Sequence, residues 1–125
     1  MKDRFKFRFW DKKEKEYFTC GNIDHESGIF KTYPYRTYNW CFGHKNIIAE
    51  QCTGLKDRNG TLIYEGDIVK TEQFGEVTIY QVIWDMKTAK FLFENKYISF
   101  SFDDLPADVT EIISNIHENK ELLNG

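Results

Sequence analysis

The residues of this 125-residue chain with the most chemistry in them are three cysteines, three histidines and a few clustered charges. Cys20, Cys41, His44 and Cys52 could bind zinc as thiolates and imidazole, and Cys41-Phe-Gly-His44 has the spacing of a close ligand pair. Structural zinc sites usually use two such pairs. Here there is one, so small buried thiols are the better reading. A cysteine–histidine nucleophile would rest on the same few residues, with no further signature around them. Asp103-Asp104 sets two carboxylates side by side, as a metal or a general base would need. No further ligand converges on them in sequence, and a solvated acidic loop accounts for both. A glycine-rich phosphate loop, a Walker pattern and a nucleophile elbow are all absent. The expectation is a protein that is not an enzyme and uses neither cofactor nor metal.

Two stretches have the composition of binding surfaces. In the first, Tyr33-Pro-Tyr-Arg-Thr-Tyr-Asn-Trp-Cys-Phe42, five aromatic rings and one arginine fall within ten residues. Exposed, Tyr33, Tyr35, Arg36, Tyr38 and Trp40 would form a stacking or peptide-docking platform. Buried, they would be a satellite cluster under a loop or in a subunit interface. In the second, Arg4, Lys6 and Arg8 alternate with Phe5, Phe7 and Phe9, and Lys12, Lys13 and Lys15 follow. Period-two alternation predicts a half-buried strand with the phenylalanines inward. The cations on its other face either meet phosphates or form the wet face of a sheet.

Composition narrows the choice. Hydrophobic residues make up 41% and charged residues 30%, a balance ordinary for one globular domain over residues 1–125. Aromatics reach 17%, which favours strands. The net charge of −3 argues against a dedicated duplex-DNA binder. Charge is uneven along the chain: residues 1–15 hold seven Lys or Arg against three acids, and residues 101–125 hold six acids against one Lys. An odd number of cysteines, with no apolar leader before them, predicts reduced thiols in a cytoplasm. No run approaches the roughly 20 apolar residues of a membrane span.

The elements that must carry these groups read as mostly β. A strand over residues 5–9 turns at 11–16 and returns over 17–20. Residues 21–28 are a polar loop, and 29–33 form another short strand. Residues 45–51 read as a strand leading into Cys52-Thr-Gly-Leu-Lys-Asp-Arg-Asn-Gly-Thr-Leu-Ile-Tyr-Glu-Gly-Asp-Ile-Val69, the stretch around which the rest is organised. There, Asn59-Gly60 predicts a type I′ hairpin turn, 61–64 a short strand, and Glu65-Gly66-Asp67 a second turn. The charges Lys56, Asp57, Arg58 and Glu65 read as a solvated loop with surface ion pairs. Strands follow at 68–71, 76–85, 90–94 and 97–102, the last three joined by short turns into a meander. Residues 109–118 fit either a helix or a closing strand, with strand preferred. Asn119 is placed to N-cap a final helical turn.

The organising stretch resembles the signature of the YopX family, small proteins found mainly in phages and prophages of bacteria. That pattern reads roughly Tyr-Thr-Gly-Leu-Lys-Asp-Lys-Asn-Gly and then Ile-Tyr-Glu-Gly-Asp-Ile-Val, with Cys52 here for the aromatic and Arg58 for the lysine. Phe7-Arg-Phe-Trp-Asp-Lys12 resembles the family's opening, with Phe9 for a small residue. Ile113-Ser-Asn-Ile-His-Glu-Asn119, with Leu122 and Leu123, resembles its close. Residues 17–46 match nothing in that pattern. The resemblance implies a β-rich fold of SH3-like barrel type, built from small, strongly bent antiparallel sheets, and no established activity. The expected function is an accessory protein that docks a phage or host protein, with self-association into a homo-oligomer as a further option. The alternative is a single-stranded nucleic-acid binder using the basic N-terminal strand.

Overall fold

The computed structural model describes residues 6–20, 31–33, 36–101 and 107–124, with residues 20, 31, 32 and 38 described by their backbone alone. The polar loop at 21–28, Pro34, Tyr35, Arg4 and the Asp103-Asp104 pair lie outside the described residues. The chain is mainly β, as its aromatic and alternating segments predict. It divides into two compact units, one comprising Phe5–Gln51 and the other built on Cys52–Gly125.

In the first unit, β1 (Phe7–Asp11) and β2 (Glu16–Cys20) form an antiparallel hairpin with Phe9 opposite Phe18 and Trp10 opposite Tyr17. Short β3 (Lys31–Tyr33) runs parallel to β2. On its other side β1 pairs antiparallel with the first half of β4 (Ile47–Lys56), Phe7 opposite Gln51 and Asp11 opposite Ile47. β1 is therefore an interior strand. Its phenylalanine face builds the core of Phe9, Phe18 and Cys41, with Phe7, Tyr33, Ile47 and Ala49 packed against it. Its other face is buried too: Arg8 and Trp10 are both buried. At Arg8 this overturns the wet basic face read from the alternation. The turn after β1 is closed by the Asp11 carboxylate, which accepts from Lys13 N and Glu14 N.

In the second unit, the latter half of β4 pairs with β5 (Leu62–Tyr64) across an irregularity between Cys52 and Lys56. The other strands are β6 (Asp67–Gln73), β7 (Glu76–Asp85), β8 (Lys90–Glu94), β9 (Ser99–Ser101) and β10 (Thr110–Asn115). They form a five-stranded sheet in the order β10-β6-β7-β8-β9, bent into a half-barrel. Ile63, Val69, Tyr80, Val82, Phe91 and Phe93 fill its core, with Trp84, Phe100 and Ile112 against them. The meander over β7–β9 falls where the alternation and turns put it. Residues 109–118 resolve into both readings. The strand lasts to Asn115, and a short helix follows over Ile116–Asn119, continued by a 3-10 segment over Lys120–Asn124. The capping residue is Asn115, not Asn119: its side chain accepts from His117 N and Glu118 N. Among the described residues no helix is long and apolar enough to cross a membrane.

Candidate functional site

The organising stretch is a set of structural fasteners. Gly54 sits at φ +85°, and the Thr53 hydroxyl donates to Ile63 O at 2.8 Å, which sets the irregular pairing of β4 with β5. The buried Asp57 carboxylate accepts from Asn59 N (2.9 Å) and Thr61 N (3.0 Å) of its own loop. Its second oxygen accepts from Ile112 N of β10 at 3.0 Å, and Arg58 N donates to Thr110 O at 2.9 Å. The loop thus lies on the outer edge of β10. The Arg58 guanidinium adds an ion pair to Glu111 at 2.6 Å. Asn59-Gly60 is not a type I′ turn: Gly60 alone has positive φ, and Gly60 N donates to Asp57 O. At the second turn Gly66 has φ +89°, and the buried Asp67 carboxylate accepts from Tyr64 N at 2.7 Å. Thr53, Asp57 and Asp67 are thus occupied by backbone groups and Arg58 by a carboxylate, which gives the stretch a structural role.

Aromatic and cationic groups gather instead in the first unit, at the helix α1 (Tyr38–Gly43). Thr37 N-caps it by accepting from Trp40 N, which satisfies an otherwise orphaned donor of the first turn. Cys41 anchors its inner side in the core, fully buried. The Arg36 guanidinium lies over three rings, 4.1 Å from the centroid of Tyr33, 4.5 Å from Phe18 and 4.8 Å from Trp40. Its Nη1 is buried and has no hydrogen-bond partner. Cation–ring attraction holds the group in place of a carboxylate. Tyr33 is half-buried; its ring meets Phe18 edge-on and its hydroxyl donates to Glu16 Oε2 at 2.8 Å. Trp40 packs against His44 with ring centroids 4.6 Å apart and the planes tilted by 40°, and keeps 41% of its surface in solvent. Phe42 keeps 53% while touching Phe7 and Phe9 edge-on.

Of the platform residues read from sequence, the structure brings Tyr33, Arg36 and Trp40 into one cluster. Tyr35 and the Tyr38 side chain lie outside the described residues. Sequence reasoning passed over Phe18, which floors the arginine, and His44, which backs the tryptophan. The i,i+4 spacing of Trp40 and His44 after the capping Thr37 was the available signal.

The basic strand fares differently. Arg8 is 5% exposed, its Nε donating to Glu50 Oε1 at 2.8 Å and its guanidinium 4.0 Å above the Tyr17 ring. Tyr17 donates to the same Glu50 oxygen at 2.9 Å. Arg8 is thus a core ion pair and not a phosphate contact, because its strand has neighbours on both sides. Lys12 and Lys13 are exposed on the β1–β2 turn, and Lys6 is half-buried. Cys41 and Cys52 are both buried, and His44 Nδ1 accepts from Asn46 N. Among the described residues no three His, Cys, Asp or Glu side chains come together as metal ligands.

A mainly β chain with a half-barrel and a backbone-fastening signature loop defines a small structural class. The family model of the YopX protein matches residues 6–124, and the chain belongs to the YopX family. Among solved structures it is similar to protein EF1440 from Enterococcus faecalis, with 28% identity over 94% of this chain and 96% of that one, and a TM-score of 0.60. No curated protein matches it.

Proposed function

We propose that this chain is a non-enzymatic interaction module, an SH3-like accessory protein of phage or prophage origin working in the bacterial cytoplasm. It docks a partner protein on the outer side of α1. The observation that carries this reading is the pair of partly exposed rings, Trp40 and Phe42, on a helix pinned to the core through Cys41. Tryptophan and arginine dominate binding energy at protein interfaces because they desolvate large, rigid surfaces. Here the indole is held between Arg36 and His44, so little side-chain freedom is lost on docking. Single-stranded nucleic acid is the weaker reading, since Arg8 is committed to Glu50 and, among the described residues of the basic N-terminal segment, the exposed cations Lys12, Lys13 and Lys15 sit on one short turn.

The test is capture of tagged chain from lysate with and without nuclease, followed by affinity measurement on the recovered partner. The expected result is a stoichiometric protein that survives nuclease, binds with shallow salt dependence, and is lost on Trp40→Ala with unfolding unchanged. Binding of nucleic acid that weakens steeply with salt would replace this reading, because counterion release drives such contacts. A recovered partner that is the chain itself would make the surface a homo-oligomer interface.

A further inference from the structure

The β6–β7 hairpin ends in a two-residue loop, Phe74-Gly75, closed by the pair Gln73 and Glu76. Both loop residues have positive φ, +53° for Phe74 and +80° for Gly75. That is the type I′ geometry, which suits right-twisted strands and ordinarily takes Asn-Gly or Gly-Gly. A bulky aromatic there is a backbone outlier, since its Cβ crowds the adjacent carbonyl. Phe74 is also fully exposed, at 101% of its reference surface. A scattered exposed apolar residue needs no explanation by itself. A phenylalanine that is both strained and wholly solvated has two costs and no return within this unit, and residues held at such a cost cluster at binding sites. Val77, opposite Glu72 in the same hairpin, adds a second exposed apolar side chain at 56%.

We infer that Phe74 is a plug that inserts into an apolar pocket of a partner protein, and that the pocket has a basic rim. The charges beside the plug select that partner. Glu72, Glu76 and Gln73 flank it, all exposed, with no cation among residues 71–77. Glu72 meets Arg58 only at 3.9 Å and leaves 53% of its side chain in solvent. One acid on each face of the hairpin tip, Glu72 beside Val77 and Glu76 beside Gln73, repels an anionic lipid surface and a phosphate backbone, and complements lysines or arginines around a protein pocket. A second copy of this chain is disfavoured by the same charge reasoning, since its own net charge is −3. The site belongs to the second unit and stands independently of the α1 surface.

The test exploits the mismatch between side chain and turn. Phe74→Asn restores the residue that the loop geometry favours, so its unfolding midpoint is expected at or above that of the wild type. In the full chain, p-benzoylphenylalanine at position 74 is irradiated in cells of the source organism. A single protein adduct is expected, with the crosslink mapping to an apolar pocket edged by Lys or Arg. That protein, purified, is expected to bind Phe74→Asn at least tenfold more weakly than wild type and to associate more slowly with Glu76→Lys. Wild-type affinity for the well-folded Phe74→Asn variant would overturn the inference. So would an adduct with lipid, nucleic acid or a second copy of the chain, or no adduct at all. Trp40→Ala, measured in parallel, reads the α1 surface separately.

Discussion

The Asp57 carboxylate accepts a hydrogen bond from the backbone N–H of Ile112, 55 residues later, at 3.0 Å. With Asn59 N and Thr61 N it gathers three backbone donors from two segments. A carboxylate that organises a loop and ties it to a distant strand behaves as a covalent staple would, without the chemistry. Asp57→Ala leaves those donors to re-solvate or stay unpaired. The expected loss is about 3 kcal/mol, from charge-assisted bonds of about 1.5–3 kcal/mol each with partial recovery by water. Urea denaturation measures it, and faster amide exchange at Ile112 localises it.

The buried Arg8–Glu50 pair makes a second prediction. Removing one partner strands the other in the first unit's interior. Arg8→Ala or Glu50→Ala is expected to cost about 3–5 kcal/mol. The double variant Arg8→Met with Glu50→Leu is expected to lose less than the sum of the singles, because neither charge is then left uncompensated. A double-mutant cycle built on Arg8→Met, Glu50→Leu and the two combined, followed by chemical denaturation, checks this. Equal and additive losses would mean the two groups do not act as a pair.

Gly66 supplies a third. At φ +89° its N–H donates to Val82 O and its carbonyl accepts from Ile116 N. Gly66→Ala must keep both bonds in a conformation that a Cβ disfavours, at a cost of about 1–2 kcal/mol. Gly66→Asn is expected to recover part of that loss, since asparagine tolerates the left-handed region. Thermal unfolding of the two variants side by side decides it.

Asp85 gives a pH prediction. The Thr88 hydroxyl donates to its Oδ2 at 2.6 Å, and this bond, ahead of smaller backbone contributions, holds the carboxyl below its ordinary value. A carboxyl lowered by folding stabilises the fold above its unfolded pKa, and the contribution fades as pH falls through the lowered value. An NMR titration of Asp85 is expected to show a midpoint below the usual aspartate range, moving back up in Thr88→Val.

How far the sequence announced all this depends on the range of the cause. The strands β7 and β8 have the bounds their composition gives, because alternation and the Met86–Ala89 turn are local. Arg8 was misread because alternation distinguishes two faces of a strand and does not say that one is wet. The residue that makes the difference, Glu50, stands 42 positions away. Asn59-Gly60 was assigned the wrong turn because Asp57 competes for the loop's donors, whereas the type I′ turn fell on Phe74-Gly75, which carries no asparagine. Helix α1 went unseen because Tyr, Trp, Cys and Phe are poor helix formers and its six residues are shorter than any reliable period. The cluster of Tyr33, Arg36 and Trp40 was legible as a composition. Its floor, Phe18, was not, since only the fold brings β2 beneath it.

The loop laid along β10 has one more effect. The outermost strand of an open sheet offers a row of bare amides and carbonyls to any other extended chain, the first step of aggregation. On β10 the Thr110 carbonyl and the Ile112 amide are already taken by Arg58 and Asp57. The family signature therefore works as a stopper, keeping a half-open barrel from growing into fibres strand by strand.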